Sequence, residues 1–340
     1  LTGSLLWEIE GSTTECVGSI VTDGTLVFAS GGYPDKLTIA VRGDGSGEIA
    51  WRNSVQTYVP SMLVHDGYLY TVTDGGVALC WEAASGKEVW KSRLGGTFNS
   101  SLVLVGDQIL AGAGALIAER LGRRRCLIVT DSNAAPLYLA RLEAELAAAG
   151  HEALPALIVP AGEGSKDFAG LQKLLEQILA AGVDRKTLLI AFGGGVIGDL
   201  TGVAASLALR GLDFVQMPTT LLAQVDSSVG GKTGINSAAG KNTVGSFYQP
   251  RLVIADVGLL DSLPAREMRG GYAEVVKYGL IKDAAFFDWC RANGGRLLSG
   301  DREAQIYAVG ISCEHKARIV AADEREAGER ALLNFGHTFG

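Results

Sequence analysis

Thr187–Pro250 reads TLLIAFGGGVIGDLTGVAASLALRGLDFVQMPTTLLAQVDSSVGGKTGINSAAGKNTVGSFYQP, and this stretch decides the fold. An apolar run to Phe192, typical of a buried strand, passes directly into the turn Gly193-Gly194-Gly195-Val196-Ile197-Gly198. These glycines satisfy G-x-G-x-x-G between a predicted strand and a small-residue helix that continues to about Ala208. Backbone N–H groups and the positive end of the helix dipole can face a pyrophosphate there. On its own the pattern is weak evidence of a dinucleotide site.

Polar side chains follow the glycine turn among glycines and other small residues, which keep the backbone close to a ligand. They are Arg210, Asp226, Lys232, Lys241 and Asn242, and further along the chain come Lys277, Lys316 and Arg330. Any one of these cations is as well explained as an ordinary surface charge. As a set on separate segments of an acidic protein, they favour a small molecule that carries both phosphate and carboxylate groups.

Composition limits the classes of function. The chain has 340 residues, 47% hydrophobic and 20% charged, which is ordinary for a globular protein of two or three domains. Its formal net charge of −7 argues against a nucleic-acid-binding surface. No apolar run is long enough to predict a membrane span, so no membrane partner is expected.

The cysteines and the first residues bear on location. The five cysteines are scattered and lack C-x-x-C spacing, which favours a reducing compartment and a cytoplasmic location. The sequence starts at Leu1 with neither Met nor a charged-then-apolar leader, and we expect it to begin inside a longer reading frame.

Residues 1–112 carry a repeat of short alternating strands. Aligned segments begin with a serine about every forty residues, at Ser19, Ser61 and Ser101. A tryptophan closes a strand with a similar period, at Trp7, Trp51 and Trp90. The segment resembles quinoprotein-type β-propeller repeats, which implies that the tryptophans pack between neighbouring blades. Only about 2.5 blades are present, fewer than the roughly four to eight that close a propeller, so we expect an incomplete all-β segment without chemistry of its own.

From residue 113 to residue 262 predicted strands and helices alternate. Strands are expected at 126–130, 157–159, 187–192, 213–218 and 251–256, with helices at 136–149, 167–181 and 219–226. This order predicts a doubly wound α/β domain whose parallel sheet binds ligands at the carboxyl ends of its strands. Polar residues that follow the strands can converge there on one dinucleotide, namely Asp131, Asn133, Glu163 and Lys166 with the glycine turn.

After Pro264 the periodicity becomes entirely helical, with helices expected at 265–279, 284–292 and 303 to about 322. Residues 263–340 are therefore predicted to form an all-helical domain. We expect the α/β and helical domains to face each other across a cleft that binds a small molecule.

Five ordered strings of the second half carry a family resemblance: GGGVIGDLTGVAAS, LRGLDFVQMPTTLLAQVDSSVGGKTGIN, GKNTVGSFYQP, GGYAEVVKYGLI and LNFGHTFG. Together, from about residue 113 onward, they resemble 3-dehydroquinate synthase. The resemblance implies a lyase that uses catalytic NAD and a divalent metal, zinc or cobalt. Its implied substrate is the sugar-acid phosphate 3-deoxy-D-arabino-heptulosonate 7-phosphate, which is converted to 3-dehydroquinate and phosphate in the shikimate pathway. A homodimer through this part of the chain is also expected.

The resemblance assigns roles to residues at matching positions. Those implied to contact the substrate are Arg210, Asp226, Lys232, Lys241, Asn242, Lys277, Lys316, Arg330 and Asn334. Those implied to bind NAD are Asp131, Asn133, Glu163, Lys166, Gly194, Gly195, Asp199, Thr219, Thr220 and Ser262. Two further residues, Glu274 and His337, match metal ligands of the family.

The family pattern differs from a general rule at one position and from this sequence at another. The general dinucleotide rule looks for a ribose carboxylate about twenty residues beyond the glycines, at Asp213, whereas the family places ribose recognition at the earlier strand ends. We follow the family. The family also continues past His337 with further histidine ligands, whereas this sequence stops at Gly340, and His151 and His315 do not occupy matching positions. We therefore expect an incomplete metal site and a chain that is inactive or severely impaired.

Other readings of the residues stay open. A metal- and NAD-dependent polyol dehydrogenase shares the glycine turn and the metal but does not need the lysines for anionic groups. A sibling sugar-phosphate cyclase is harder to separate. The third alternative is not enzymatic, namely an inactive fusion of a propeller fragment with an incomplete enzyme.

Overall fold

The computed structural model describes residues 20–31, 36–57, 62–73, 77–93, 103–322 and 329–335. The chain divides into two compact units, with the main boundary between Leu102 and Val103. Glu119–Gly122 are grouped with the first unit, and the other residues from Val103 onward with the second.

The first unit contains two antiparallel sheets of four strands each, and strands that are neighbours in sequence pair with one another. The first sheet consists of β1 (Val21–Thr22), β2 (Leu26–Gly31), β3 (Leu37–Arg42) and β4 (Ile49–Asn53). The second consists of β5 (Leu63–His65), β6 (Tyr68–Val72), β7 (Val77–Glu82) and β8 (Glu88–Arg93).

An aromatic cluster joins these two sheets. The Trp51 ring lies 5.9 Å from Phe28 and 6.3 Å from Trp81 between centroids, and its indole N–H donates to the Ala83 carbonyl at 2.7 Å. Trp51 therefore packs between consecutive sheets, as predicted, whereas Trp90 is 44% exposed. Trp7, Ser19, Ser61 and Ser101 lie outside the described residues. The propeller itself stays a prediction.

A parallel sheet of seven strands forms the basis of the second unit, which confirms the predicted α/β class. Its strands are β9 (Val103–Gly106), β10 (Arg125–Asp131), β11 (Glu152–Ala153), β12 (Leu157–Val159), β13 (Leu188–Gly193), β14 (Phe214–Pro218) and β17 (Leu252–Asp256). They lie in the order β11-β10-β13-β14-β17-β9, β12 also pairs with β10, and every pairing is parallel. The chain builds outward from β10 in both directions, so a crevice opens between the carboxyl ends of β10 and β13.

The helices of the second unit agree with the sequence pattern, except that the helix predicted at 219–226 is a short π-helical turn, Ala223–Ser227. They are α1 (Ala113–Leu121), α2 (Ala140–Ala148), α3 (Phe168–Ala180), α4 (Gly195–Leu207), α5 (Ala265–Lys282), α6 (Ala284–Leu298) and α7 (Arg302–Ala322). One buried core joins the sheet to α3 and α4, and another gathers α5, α6 and α7 around Leu221 and Val225. The helical region predicted after Pro264 is thus confirmed.

The sequence analysis assigned one strand to the β repeats, although it belongs to the second unit. The sequence places 103–106 in the third β repeat, but these residues form β9 and pair in parallel with β17 of the second unit. A short apolar run fits either environment, and the partner that decides between them lies about 150 residues later in the chain, where no local pattern can reveal it. The chain therefore enters the parallel sheet before the boundary predicted at residues 112 and 113.

The sequence analysis missed an antiparallel hairpin, as well as the two-residue strand β11. The hairpin consists of β15 (Lys232–Ser237) and β16 (Gly240–Phe247), with an irregular register between Ile235 and Ser237. It packs against α4, where Thr233 Cγ2 occupies the space that a Cβ atom on Gly202 would need, and Ser246 Oγ donates to Ser206 Oγ at 3.0 Å. Its many glycines hide the alternation that marks a strand.

Two adjacent glycines of α5 test the packing between the helices and the sheet. A Cβ atom at buried Gly271 would lie 2.7 Å from the Leu222 backbone nitrogen, whereas one at exposed Gly270 meets nothing within 4 Å. We expect Gly271→Ala to destabilise the protein by about 1–3 kcal/mol through overpacking. Gly270→Ala should stabilise it slightly, by roughly 0.5–1 kcal/mol, because alanine favours the helix. Urea unfolding measures both, and equal midpoints for the two variants would contradict this packing.

Candidate functional site

The glycine turn leaves the start of α4 open. Gly194 is the N-cap residue of α4 and offers no side chain to the first-turn N–H groups. A Cβ atom on Gly194 would lie 3.2 Å from Thr220 Cγ2, and one on Gly195 would lie 3.1 Å from Ser227 Oγ. Glycine therefore lets the β14–β15 connection approach while the helix N-terminus remains available to an anion.

A cavity of about 880 Å³, here called the large cavity, opens in front of this turn. All ten residues predicted to bind NAD line it: Asp131, Asn133, Glu163, Lys166, Gly194, Gly195, Asp199, Thr219, Thr220 and Ser262. They follow β10, β12, β13, β14 and β17, so the carboxyl ends of five parallel strands bring them together. Their individual roles stay predictions.

A second cavity of about 550 Å³, the small cavity, adjoins the large one. Six of the residues predicted to contact the substrate line it: Asp226, Lys232, Asn242, Lys277, Lys316 and Asn334. Four residues line both cavities and form a shared wall: Asp199, Asp226, Ser227 and Asn242. Of these, Ser227 was missed by the sequence analysis, as was Phe247 of the small cavity.

Other predicted residues lie elsewhere or cannot be placed. Lys241 and Glu274 line the large cavity rather than the small one. Arg210 is exposed and lines neither; it follows α4, about 20 Å along the helix from the glycine turn. Arg330 belongs to a short helical turn, Glu329–Asn334, but its side chain is not among those described, and His337 lies outside the described residues.

The small cavity holds a set of paired charges. Lys316 Nζ lies 2.8 Å from Asp226 Oδ1 and also donates to the Asp226 carbonyl at 2.6 Å. Lys277 pairs with Glu274 and donates to the Leu333 carbonyl at 2.8 Å. Two buried ammonium groups are thereby fixed at the cavity wall, where an added anion would meet them already oriented.

The shared wall contains two carboxyl groups in different electrostatic states. Burial would raise the pKa of Asp226, but the charges of Lys316 and Lys277 outweigh it and hold this pKa below its ordinary value. Burial raises the pKa of Asp199 above its ordinary value, although Lys166 pulls it down. Asp199 therefore has a higher pKa than Asp226, although both carboxyl groups are paired with a lysine.

Buried Lys166 connects the two sides of the wall. Its ammonium group pairs with Asp199 of α4 and donates to Asn242 Oδ1 of the hairpin at 2.6 Å. Because Lys166 is only 4% exposed, removing either partner would leave its buried ammonium group poorly compensated.

Asp213 lies on the side of the sheet opposite the cavities, at the amino ends of the parallel strands. It precedes β14 and accepts hydrogen bonds from Arg124 and Arg251, each at 2.7 Å. Burial would raise the pKa of Asp213, but these two hydrogen bonds outweigh it and lower the pKa. Asp213 is thus an ion-pair residue, and it lines neither of the two cavities.

The described residues contain no group of three or more His, Cys, Asp or Glu side chains arranged to hold a metal ion. His151 faces the Gly114 carbonyl at 3.0 Å, and His315 faces Asp283 at 3.0 Å, so neither belongs to either cavity. Of the predicted metal ligands only Glu274 is described. In the part of the chain that the structure describes, no helix has the length and apolar character that a membrane span needs.

Three family models match the chain. One described as 3-dehydroquinate synthase N-terminal matches residues 156–270, and one described as 3-dehydroquinate synthase C-terminal matches residues 271–340. A model described as outer membrane protein assembly factor BamB matches residues 1–121, although β9 and part of α1 within that range belong to the second unit.

Similar proteins agree with the two models of the second unit. 3-Dehydroquinate synthase from Rhodospirillum rubrum is 59% identical over 236 residues, which cover 69% of this chain and 61% of that protein. The same enzyme from Rhizobium meliloti is 56% identical over 238 residues, covering 70% of this chain and 63% of that protein. The chain thus spans less than two thirds of the length of these relatives.

Solved structures share the fold. 2-Epi-5-epi-valiolone synthase from Streptomyces hygroscopicus, with NAD+ and Zn2+ bound, has a TM-score of 0.65 and 33% identity and covers 71% of this chain and 66% of its own. 2-Deoxy-scyllo-inosose synthase, complexed with carbaglucose-6-phosphate, NAD+ and Co2+, has a TM-score of 0.61 and 27% identity, covering 68% and 64%. An iron-containing alcohol dehydrogenase from Thermotoga maritima, at a TM-score of 0.52 and 20% identity, covers 65% and 67% and shares only the fold.

The Asp213 ion pairs predict a specific pH dependence. Since the folded-state pKa of Asp213 is lowered, its stabilisation is complete above the unfolded value of about 3.9 and is lost as the pH falls through the folded-state pKa. We expect Asp213→Asn to cost about 1–2 kcal/mol of unfolding free energy at pH 7, and this cost should shrink below about pH 4. Urea unfolding at a series of pH values measures it.

Asp288→Asn is the matched control, because the Asp288–Arg291 pair is exposed and should contribute less than about 0.5 kcal/mol. A cost for Asp213→Asn that stays constant down to pH 3 would show that the carboxylate charge does not stabilise the amino end of the sheet.

Proposed function

Residues 156–340 of the chain belong to the 3-dehydroquinate synthase family, and from this membership we propose that the protein converts 3-deoxy-D-arabino-heptulosonate 7-phosphate to 3-dehydroquinate and phosphate. The observation that carries the proposal is the shared wall. A glycine-turn cavity for a dinucleotide and a lysine-lined cavity for an anion meet at Asp199, Asp226, Ser227 and Asn242. A reaction that needs a cofactor and an anionic substrate side by side requires that arrangement.

The large cavity fits NAD. Its glycine turn excludes side chains in front of the α4 N-terminus, which suits a pyrophosphate, and the carboxylates of Asp131 and Glu163 suit ribose hydroxyls. When bound, NAD supplies a hydride acceptor that later returns the hydride, so it is a catalyst rather than a consumed reagent. The chain's own residues orient it at the carboxyl ends of the strands.

The small cavity fits a substrate with two anionic ends. Lys232, Lys277 and Lys316 come from the hairpin, α5 and α7, and can hold phosphate and carboxylate groups apart from each other. Once an alcohol of the substrate is oxidised, the neighbouring C–H is acidified and phosphate can leave. Asp226 keeps Lys316 in place beside this step, and Lys166 keeps Asp199 in place in the shared wall.

A divalent metal is part of the proposal, because the valiolone and inosose synthases carry Zn2+ and Co2+ respectively. A bound metal would polarise substrate oxygens. Glu274, which lines the large cavity, is the described ligand candidate, and it is held by Lys277. The described residues do not complete a ligand set, so no step is derived through the metal.

The level of identity favours this reaction over those of sibling cyclases. The 3-dehydroquinate synthases are 55–59% identical to the chain, whereas the valiolone and inosose synthases are 27–33% identical. A polyol dehydrogenase is the second candidate, because the iron-containing alcohol dehydrogenase shares the fold. A cytoplasmic location and a homodimer through the second unit complete the proposal; the four described cysteines are free, which suits a reducing compartment.

Product analysis tests the reaction. With NAD and zinc present, turnover by the chain should release phosphate from the heptulosonate phosphate without net accumulation of NADH. We expect this turnover to be slow, because the described residues do not complete a metal ligand set. Steady accumulation of NADH with a polyol would favour the dehydrogenase instead. Failure to bind either NAD or the heptulosonate phosphate in calorimetry would refute the proposal, whatever the rate of turnover.

Lys232→Met tests the anion site by binding alone. Removing one ammonium group should weaken binding of the heptulosonate phosphate about 10- to 100-fold, the usual value of a hydrogen bond to a charged group. NAD affinity should change less than about threefold, because Lys232 lines only the small cavity. Lys173→Met, on the exposed face of α3, is the matched control. Equal substrate affinity in the two variants would remove Lys232 from the anion site.

A further inference from the structure

Asn236 occupies an irregular point of the hairpin between the two cavities. Ile235 pairs with Val244 and Ser237 pairs with Gly240, so Asn236 alone stands opposite three residues of β16, 241–243. The bulge is therefore in β16, where the extra residues, Asn242 among them, leave the regular ladder. Asn236 lines neither of the two cavities, and no role was predicted for it from the sequence.

The side chain of Asn236 joins a residue of each cavity. Its Nδ2 donates to Glu163 Oε1 at 2.8 Å, and its Oδ1 accepts from the Asn242 backbone N–H at 2.9 Å. Glu163 lines the large cavity, and Asn242 lies in the shared wall. A carboxylate can only accept and a backbone N–H can only donate, so the orientation of the amide is fixed by chemistry.

Asn242 depends on this support. It has a φ of 55°, in the left-handed region that side chains other than glycine rarely adopt. Its backbone N–H is held by Asn236, and its side-chain oxygen is held by Lys166. The Lys166 carbonyl in turn accepts from the Asn236 backbone N–H at 2.8 Å. The segment that carries Glu163 and Lys166 therefore holds Asn242 in two ways. Lys166 binds its side chain directly, and Asn236 links its backbone N–H to Glu163.

We propose that Asn236 is a positioning residue that couples the two cavities, so that a dinucleotide against Glu163 fixes Asn242 for the anionic substrate. The inference rests on the proposed function, because it takes the large cavity to bind NAD and the small one to bind the sugar-acid phosphate. Asn236 acts through Asn242 and touches neither ligand. By thermodynamic linkage each ligand must then tighten the binding of the other by the same factor.

Calorimetry on the full chain tests the coupling. The probes are NAD and a phosphonate analogue of the heptulosonate phosphate, in which carbon replaces the bridging oxygen so that phosphate cannot leave. Saturating NAD should tighten binding of the analogue about fivefold or more in the native chain. Asn236→Ala should reduce this factor to nearly one and weaken analogue binding to the NAD-saturated chain about tenfold.

Three further variants separate positioning from hairpin stability. Ser237→Ala removes a neighbouring bond across the same hairpin, to Thr243 at 2.7 Å, and should leave the coupling factor within about twofold. Asn242→Ala keeps the backbone N–H that Asn236 holds but removes the amide that faces the substrate, so it should weaken analogue binding at least as much as Asn236→Ala does. The double variant should lose little more than Asn242→Ala alone, because Asn236 acts through the Asn242 side chain. Circular dichroism melting establishes that each variant is folded.

A pair of substitutions that exchanges the hydrogen-bond donor and acceptor between Asn236 and Glu163 should restore the coupling. Asn236→Asp places a carboxylate against Glu163 and should abolish the coupling, whereas adding Glu163→Gln restores a donor and an acceptor and should return the factor to within about threefold of the native value. Unchanged coupling in Asn236→Ala, or effects of Asn236→Ala and Asn242→Ala that multiply, would overturn the inference alone. A native chain that binds neither probe would overturn the proposed function with it.

Discussion

The site depends on the ion pair and the hydrogen bond that the buried ammonium group of Lys166 makes. Lys166 follows β12 and connects two other elements. It pairs with Asp199 of α4 and donates a hydrogen bond to Asn242 of the hairpin. A charge that is only 4% exposed is costly unless its partners stay in place. The ion pair therefore fixes the spacing between α4 and the hairpin, and with it the wall that both cavities share.

The parallel sheet explains why these groups meet at all. β10 and β13 lie side by side, and the chain turns to opposite sides after them, so the crevice at their carboxyl ends collects Asp131, the glycine turn and the hairpin. The helical region then closes the site through α5 and α7, which bring Lys277 and Lys316 to the same wall. Asp213 shows the contrast, because its ion pairs lie at the amino ends of the strands, and Asp213 lines neither cavity.

Local patterns in the sequence predicted most of the second unit. The strand, glycine turn and helix at Thr187–Ala208 could be recognised because each needs only near neighbours, and the α/β class followed from their alternation. The role of 103–106 could not, since β9 is defined by pairing with β17 far along the chain. Nor could the role of Asn236, which stands opposite the bulge of β16 and depends on its hydrogen bonds to Glu163 and Asn242. The predicted residues of the cavities were found through the resemblance; the contacts between them required the structure.

The central claim is that one wall separates a dinucleotide from a doubly anionic substrate. A crystal structure of the chain with NAD and the phosphonate analogue tests it most directly. The account predicts the pyrophosphate against Gly194 and Gly195 at the start of α4, and the phosphonate among Lys232, Lys277 and Lys316, with Asp199 and Asn242 between the two ligands. A nucleotide bound away from the glycine turn, or a phosphonate bound outside the three lysines, would contradict it.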